Sequence, residues 1–91
     1  DKIMVFHDAG PCAPVHVLMI PKKQIASTDD LTDEDQELMG YMMCKIKDIA
    51  KAMERYNGYR VVLNCGEDGQ QTVKHLHIHI IGKRKLTWPP G

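Results

Sequence analysis

Three histidines at alternate positions, His75, His77 and His79, form the most chemically suggestive pattern in this chain. The residues between and after them are large aliphatics, and strict alternation of this kind predicts a β-strand with two unlike faces. All three imidazoles then project from one face, while the aliphatic side chains point toward a core. Because three groups that titrate near neutral pH are seldom placed together for packing alone, we interpret this face as a site of reaction.

Three interpretations of this face are open. The first is a polar sheet face exposed to solvent. The second is a metal site, but same-face neighbours lie roughly 6.6 Å apart, so the outer pair is separated by roughly 13 Å. Zinc, with nitrogens at ~2.0–2.1 Å, would take two ligands from the strand and another from His16, Asp8 or a cysteine. The third, which we favour, is nucleophilic attack by one imidazole on an anionic substrate, with no metal ion or other cofactor.

The composition excludes several classes of function. The chain has 91 residues with 12 basic and 12 acidic side chains, and no polybasic stretch indicates a nucleic acid or a membrane as partner. Its three cysteines, Cys12, Cys44 and Cys65, are irregularly spaced, which disfavours a disulfide framework. A reducing compartment fits this pattern, so we predict a cytoplasmic protein, with the nucleus as a second location.

The remaining patterns predict one domain spanning residues 1–91. Apolar runs at 3–6, 15–20 and 59–63 predict three strands besides the histidine strand. Apolar residues at three- and four-residue steps from Leu38 to Met53 predict one long helix, which begins after Thr32 and ends before Asn57-Gly58. The fold class is therefore α+β, an antiparallel sheet of about four to five strands with one long helix packed on it.

Polar residues near the strand ends are candidates to complete the site. His16 shares a strand face with two aliphatics, which suits a cleft-wall histidine as well as a functional one. Asp8 follows the first strand, where a turn-forming role competes with a ligand role. Antiparallel pairing of the last two strands would place Asn64 beside the start of the histidine strand. Thr72 points away from the histidines if pairing is regular there, and inward only if a bulge turns it.

The segment after the histidine strand, from Leu86 to Gly91, has no strand or helix pattern and carries the only tryptophan, Trp88. We predict that Trp88 is an anchor rather than an exposed residue. A thin core and an unpaired sheet edge favour a symmetric homodimer. We expect the tail, stiffened by Pro89 and Pro90, to contact the partner subunit through Trp88, with a tail folded on its own subunit as the alternative.

Taken together, these motifs resemble those of the histidine-triad (HIT) superfamily of nucleotide hydrolases and transferases. His-x-His-x-His followed by two apolar residues is similar to its defining motif, and Phe6-His7-Asp8 with Ala13-Pro14-x-His16 resembles its nucleoside-binding half. Asn64-x-Gly66-x-Asp68-Gly69-x-Gln71 leads into the triad, and Trp88-Pro89-Pro90-Gly91 is typical of its purine nucleoside phosphoramidase branch. The resemblance covers nearly the whole chain, and it implies a single HIT domain lacking some N-terminal residues.

The resemblance implies a role for each candidate residue. His77 would be the nucleophile that becomes nucleotidylated, flanked by His75 and His79 as catalytic groups. Thr72 would donate a hydrogen bond to the phosphate or the leaving group. The remaining candidates would bind the nucleotide, with Asp8 at the ribose hydroxyls, His16 at the phosphate, and Asn64, Gln70, Gln71 and His79 around it. The tail of one subunit would lie near the substrate of the other.

Two positions depart from the phosphoramidase branch, which usually has Ser where Thr72 stands and Gly where Gln70 stands. Gln71-Thr72-Val73-Lys74 looks more like the dinucleoside polyphosphate hydrolase branch. The resemblance implies a hydrolase that releases a purine nucleoside monophosphate from a phosphoramidate or an acyl- or otherwise X-linked nucleotide, through a covalent nucleotidyl-histidine. A dinucleoside polyphosphate hydrolase and a nucleotide-binding interaction protein with minor activity are the alternatives.

Overall fold

The structure is a computed structural model that describes residues 2–53 and 57–91. Its strands are β1 (Ile3–His7), β2 (Val15–Pro21), β3 (Tyr59–Val62) and β4 (Ile78–Gly82), and its helix is α1 (Gln36–Ala52). Two short 3-10 turns, Thr28–Asp30 and Asp33–Asp35, connect β2 to α1. The predicted α+β fold is confirmed, with four strands in the sheet.

The four strands form one antiparallel sheet in the order β1-β2-β4-β3. The strand that ends the histidine motif, β4, therefore lies in the centre of the sheet. In the register of β2 against β4, Leu18 lies opposite His79 and His16 lies opposite Ile81. His16 and His79 are thus diagonal neighbours, close enough for their side chains to meet.

The histidine strand is shorter than the alternation predicted. β4 begins at Ile78, and residues 71–77 have no regular strand structure. The expectation that one strand carries all three imidazoles is therefore wrong, because only His79 lies within β4. The reason is local: the His75 carbonyl oxygen accepts a hydrogen bond from the His77 ring at 2.7 Å, so a side chain takes an acceptor that a regular ladder would use.

The apolar face of the sheet packs against α1. The three aliphatics of the motif, Leu76, Ile78 and Ile80, are each at most 1% exposed, so this half of the alternation is confirmed even where the strand is irregular. Among the described residues, the core cluster they belong to comprises Met19, Ile25, Met42, Ile46, Leu76, Ile78 and Ile80. Since side chains alternate along β2 and β4, the opposite face of the sheet is left for His16 and His79.

The start of α1 is held by Asp35, whose side chain is only 4% exposed. One carboxylate oxygen accepts the Thr32 N–H at 3.0 Å, which is one half of a capping box between Thr32 and Asp35. The other oxygen pairs with Lys23 Nζ at 2.5 Å. The hydrogen bond from Lys23, followed by that from Thr32, lowers the pKa of Asp35. This pair joins the segment after β2 to the start of α1.

The C-terminal tail lies beside β3 of its own chain. Arg60 Nη2 donates to the Thr87 carbonyl oxygen at 2.9 Å, and the Arg60 guanidinium carbon is 5.9 Å from the Trp88 ring centroid. Trp88 is nevertheless 79% exposed, so it does not anchor the tail within this chain as the sequence predicted. Its contact with a partner subunit stays a prediction. No helix within the described residues is long and apolar enough to cross a membrane.

Candidate active site

His77 lies just before β4, with its ring half-buried. Its Nδ1 is 2.7 Å from the His75 carbonyl oxygen, and because a carbonyl only accepts, Nδ1 carries the proton of the neutral ring. Nε2 then holds the lone pair, and no hydrogen bond between described residues occupies it. A neutral imidazole in this tautomer is a competent nucleophile toward phosphorus near neutral pH.

His16 and His79 meet across β2 and β4. His16 Nε2 is 2.8 Å from His79 Nδ1, and the two ring centroids are 5.1 Å apart. His79 also stands edge-on to His77, again with 5.1 Å between centroids. The sheet register therefore gathers His16, which is 7% exposed, next to two of the three histidines of the motif. Diagonal placement on a common face accounts for the contact.

A backbone group sets the direction of that hydrogen bond. The Cys12 N–H donates to His16 Nδ1 at 3.1 Å, so Nδ1 is an acceptor and the ring proton of neutral His16 resides on Nε2. The proton on His16 Nε2 points to His79 Nδ1, which accepts it. Neutral His79 must then carry its own proton on Nε2. The result is a proton-bearing imidazole beside the unprotonated Nε2 of His77.

Asp8 stands at the end of this histidine pair. Its Oδ2 is 3.4 Å from His16 Nε2, and its Oδ1 accepts the Gly10 N–H at 2.8 Å. The backbone also holds the two residues together, because the Asp8 N–H donates to the His16 carbonyl oxygen at 2.9 Å. Asp8 therefore combines the turn-forming role with a place beside His16, and its carboxylate adds negative charge where a protonated imidazole would form.

Burial is the largest influence on His79, and it lowers the pKa of this residue. The nearby imidazoles of His77 and then His16 lower it further, and Asp8 partly opposes them. Desolvation and like charges both disfavour the imidazolium form. His79 is therefore neutral at pH 7, which agrees with the acceptor role of its Nδ1.

His75 is tied to the chain through both ring nitrogens. Nδ1 is 2.9 Å from Gln24 Oε1, and Nε2 is 2.8 Å from the Pro21 carbonyl oxygen. The Gln24 amide is oriented by its Nε2, which donates to the Lys74 carbonyl oxygen at 3.2 Å. Because both partners are oxygens, which only accept, the two contacts are both hydrogen bonds only when both ring nitrogens carry protons, and a ring in that state has no lone pair to offer a substrate. Of the three histidines in the motif, it is the one that the structure uses to brace the segment before β4.

Three groups of this site could be considered as metal ligands. The ligand atoms of Asp8, His16 and His79 all lie within 4.8 Å of one another, so the structure supplies the additional ligands that the sequence left open. The hydrogen bonds oppose this use, because His16 Nε2 carries a proton and so has no lone pair for a metal. A metal at Nε2 would move the ring proton to Nδ1, where it would face the Cys12 N–H and remove that hydrogen bond.

The loop between β3 and β4 is built around Gln71, a close backbone approach at Gly69 and a left-handed backbone conformation at Gln70. Gln71 Nε2 donates to the Ala26 carbonyl oxygen at 2.7 Å, and its Oε1 accepts the Gly66 N–H at 3.3 Å. A Cβ at Gly69 would lie 2.5 Å from the Cys65 carbonyl oxygen, so only glycine fits there. Gln70 adopts a φ of 65°, in the region that favours glycine.

The other predicted residues of this loop lie at its ends. Asn64 is half-buried, and extending the register beyond Val62, which pairs with His79, would bring it opposite His77. Thr72 is exposed within the irregular segment. No hydrogen bond between described residues joins Asn64, Gln70 or Thr72 to the histidines. Contact of these residues and of Gln71 with a nucleotide stays a prediction.

Several groups that shape the site were not singled out from the sequence. They are the Cys12 backbone, Gln24, the Pro21 carbonyl and Arg84, whose guanidinium reaches the Cys12 carbonyl oxygen at 2.9 Å. Three act on or through backbone atoms, which leave no sequence signature. Gln24 could have been suspected, because it follows Pro21-Lys22-Lys23 at the point where the chain leaves β2 toward the histidines.

Both the sequence and the fold of this chain are similar to those of known proteins. The model of the HIT domain family matches residues 1–86. An uncharacterised HIT-like protein of Synechococcus elongatus is 48% identical over 91 residues, which cover all of this chain and 80% of that protein. A HIT family hydrolase from Legionella pneumophila superposes with a TM-score of 0.96 at 43% identity, over all of this chain and 82% of the other.

A histidine triad protein from Clostridium difficile is similar too, with a TM-score of 0.91 and 41% identity over 96% of this chain and 76% of that protein. These matches extend from β1 through the histidine motif, so they include the strands that position His16 and His79. The resemblance of the motifs is therefore confirmed at the level of the whole domain, and this chain belongs to the HIT domain family.

Proposed function

We propose that this protein is a hydrolase that releases a purine nucleoside monophosphate from a nucleotide whose phosphorus carries an amine, acyl or other leaving group. The observation that carries the proposal is the 2.7 Å hydrogen bond from His77 Nδ1 to the His75 carbonyl oxygen. It leaves the lone pair on His77 Nε2, while both nitrogens of His75 and Nδ1 of His79 are engaged. This arrangement supports His77 as the nucleophile of the motif.

The reaction proceeds in two displacements at phosphorus. His77 Nε2 attacks, a nitrogen–phosphorus bond forms, and the bond to the leaving group breaks with its electron pair departing on that group. A departing amine needs a proton, and His79 delivers it from Nε2 in the imidazolium form, which the Asp8 carboxylate favours, and so returns to the neutral ring. Water then attacks the nucleotidyl-His77, gives up a proton to His79, and releases the nucleoside monophosphate. Splitting one difficult displacement into two is the usual benefit of covalent catalysis.

The histidine cluster and the loop share the binding of the substrate. In this proposal Asp8 accepts hydrogen bonds from the ribose hydroxyls, and His16 lies beside the phosphate. Thr72 donates to the phosphate or the leaving group, and the loop of Asn64, Gln70 and Gln71 lies on the other side. Charge that grows on the phosphoryl oxygens is met by these donors, which stand in for a metal ion.

A dinucleoside polyphosphate hydrolase is the second candidate, and one feature favours it. The residues from Gln71 to Lys74 resemble that branch, and Gln70 places a side chain where the phosphoramidase branch has glycine. A nucleotide-binding interaction protein with minor activity is a third. Turnover of an adenosine phosphoramidate and a diadenosine polyphosphate, measured side by side, separates all three. Preference for the polyphosphate would refute the first candidate, and slow turnover of both with tight nucleoside monophosphate binding would favour the third.

We further propose that the protein is a homodimer in the cytoplasm and that its tail contributes to the neighbouring site. The edge strand β3 leaves Tyr59 and Val61 exposed, and Leu63 just beyond it is exposed as well. The tail lies next to this strand, with Thr87 bonded to Arg60. Pairing of β3 with its symmetry mate would cover these apolar residues and bring each tail toward the other subunit.

A further inference from the structure

Arg84 lies two residues beyond β4, and its guanidinium donates two hydrogen bonds to the same backbone oxygen. Nε and Nη2 donate to the Cys12 carbonyl oxygen at 3.2 and 2.9 Å, and Nη1 is 3.4 Å from the Lys85 carbonyl oxygen. The pairing of Val15 with Gly82 explains why the two segments meet, because it brings the chain before β2 next to the chain after β4. Charge-assisted hydrogen bonds of this kind are stronger than neutral ones.

The same residue, Cys12, also controls the tautomer of His16. Its N–H donates to His16 Nδ1 at 3.1 Å and thereby keeps the ring proton on Nε2. Cys12 lies in the segment between β1 and β2, which contains no helix or strand, and its side chain is exposed. Arg84 therefore restrains the position of Cys12, whose N–H must point to Nδ1 of His16.

From His16 the arrangement continues to the reacting groups. His16 Nε2 donates to His79 Nδ1 at 2.8 Å, so the tautomer of His16 sets that of His79. If His16 took the other tautomer, its Nε2 would become an acceptor, and His79 would have to place its proton on Nδ1. His79 Nε2 would then be an acceptor and would no longer donate a hydrogen bond to a leaving group.

We propose that Arg84 is a positioning residue that sets the proton arrangement of His16 and His79 by holding Cys12 in place. The inference rests on the proposed function, in which His79 donates to the leaving group. Arg84 does not touch the reacting atoms, because its hydrogen bonds between described residues end on the carbonyl oxygens of Cys12 and Lys85. It acts on the position of a backbone N–H, and its effect falls on kcat more than on KM.

The test compares Arg84→Ala with Lys85→Ala, which removes the same charge one residue later from an exposed side chain. ¹⁵N NMR of the imidazoles reports which ring nitrogen of His16 and His79 is protonated, and it needs no substrate. We expect Nδ1 of His16 to be unprotonated in the wild type and in Lys85→Ala, and partly protonated in Arg84→Ala. Turnover of an adenosine phosphoramidate by Arg84→Ala should show kcat lowered about tenfold, the size expected for loss of a charge-assisted hydrogen bond.

Addition of free guanidinium to Arg84→Ala should restore part of kcat and the wild-type ¹⁵N pattern, whereas it should do nothing for Lys85→Ala. A His16 tautomer unchanged in Arg84→Ala, or an unchanged kcat despite a changed tautomer, would overturn the proposal. An equal loss of kcat in Lys85→Ala would overturn it too, since that would indicate an effect of net charge. A wild-type protein without turnover would refute the proposed function instead, and the ¹⁵N spectra would then decide alone whether Arg84 sets the His16 tautomer.

Discussion

His16 Nε2 and His79 Nδ1 are 2.8 Å apart, although 63 positions separate the two residues in the chain. The contact exists because β2 and β4 are adjacent and pair His16 with Ile81, two residues from His79. With Cys12 donating to the other nitrogen of His16, the pair has one consistent set of protons. It connects the β2 histidine to the motif and presents a protonated nitrogen of His79 beside His77.

His79 should titrate below the usual histidine pKa of 6.5, chiefly because burial disfavours its charged form. The unfolded chain then binds more protons than the folded one between the two values. The contribution of His79 to stability is therefore complete above pH 6.5 and declines as the pH falls toward its folded pKa. NMR titration of the His79 ring measures the shift directly. As the pH falls through this range, the free energy of unfolding of His79→Gln should decrease less than that of the wild type. A His79 that titrates above 6.5 would contradict this account.

Much of the fold could be predicted from the sequence, because apolar periodicity reports burial directly. Leu76, Ile78 and Ile80 are buried as their alternation predicted. The start of β4 was predicted wrongly, since His75 and His77 take up backbone acceptors that the pattern does not reveal.

The site was only partly predictable, for a different reason. The candidate residues were recognised by type, but their partners depend on strand register, which alternation alone leaves undetermined. The contact of His16 with His79 follows from the pairing of β2 with β4. The roles of the Cys12 N–H and of Arg84 depend on backbone atoms in an irregular segment, and the residue types in the sequence do not predict hydrogen bonds to those atoms.

Gln70→Gly should stabilise the protein, because Gln70 has a φ of 65° and a left-handed conformation costs a residue with a Cβ roughly 1–2 kcal/mol. The greater freedom of glycine in the unfolded chain offsets part of this, so we expect a net gain of about 0.5–1 kcal/mol. Urea unfolding measures it. Gly69→Ala in the same loop should destabilise, since its Cβ would meet the Cys65 carbonyl oxygen. A loss of stability in Gln70→Gly would contradict the prediction.

Activity should survive exhaustive chelation. His16 Nε2 carries a proton in the hydrogen-bonded site, so the Asp8, His16 and His79 group is not arranged to bind a metal in the active state. Turnover of an adenosine phosphoramidate after treatment with a chelator should equal that of untreated protein. Loss of activity on chelation, with recovery when zinc is added back, would contradict this prediction and support the interpretation of the histidines as a metal site.

The protein should sediment as a dimer at micromolar concentration, and the exposed edge strand provides the test. Val61→Lys places a charge on β3 and should shift the population toward monomer, whereas Val5→Lys on the opposite edge, β1, should not. Deletion of residues 88–91 should alter leaving-group preference more than nucleoside monophosphate affinity. A wild-type monomer would show the dimer prediction to be wrong, and a truncated protein with an unchanged substrate profile would do the same for the role of the tail.

The proposed mechanism requires that His77 Nε2 attacks phosphorus and becomes nucleotidylated. Its most direct test is a single-turnover reaction with an adenosine phosphoramidate that carries labelled phosphorus, stopped in alkaline denaturant because phosphorus–nitrogen bonds to histidine hydrolyse in acid. Peptide mapping should locate the label on His77 in the wild type. His77→Ala should trap none and lose several powers of ten in kcat, on the order of the losses seen when a catalytic triad is broken, while still binding nucleoside monophosphate. Label on another residue, or a His77→Ala variant within tenfold of wild-type turnover, would contradict the account.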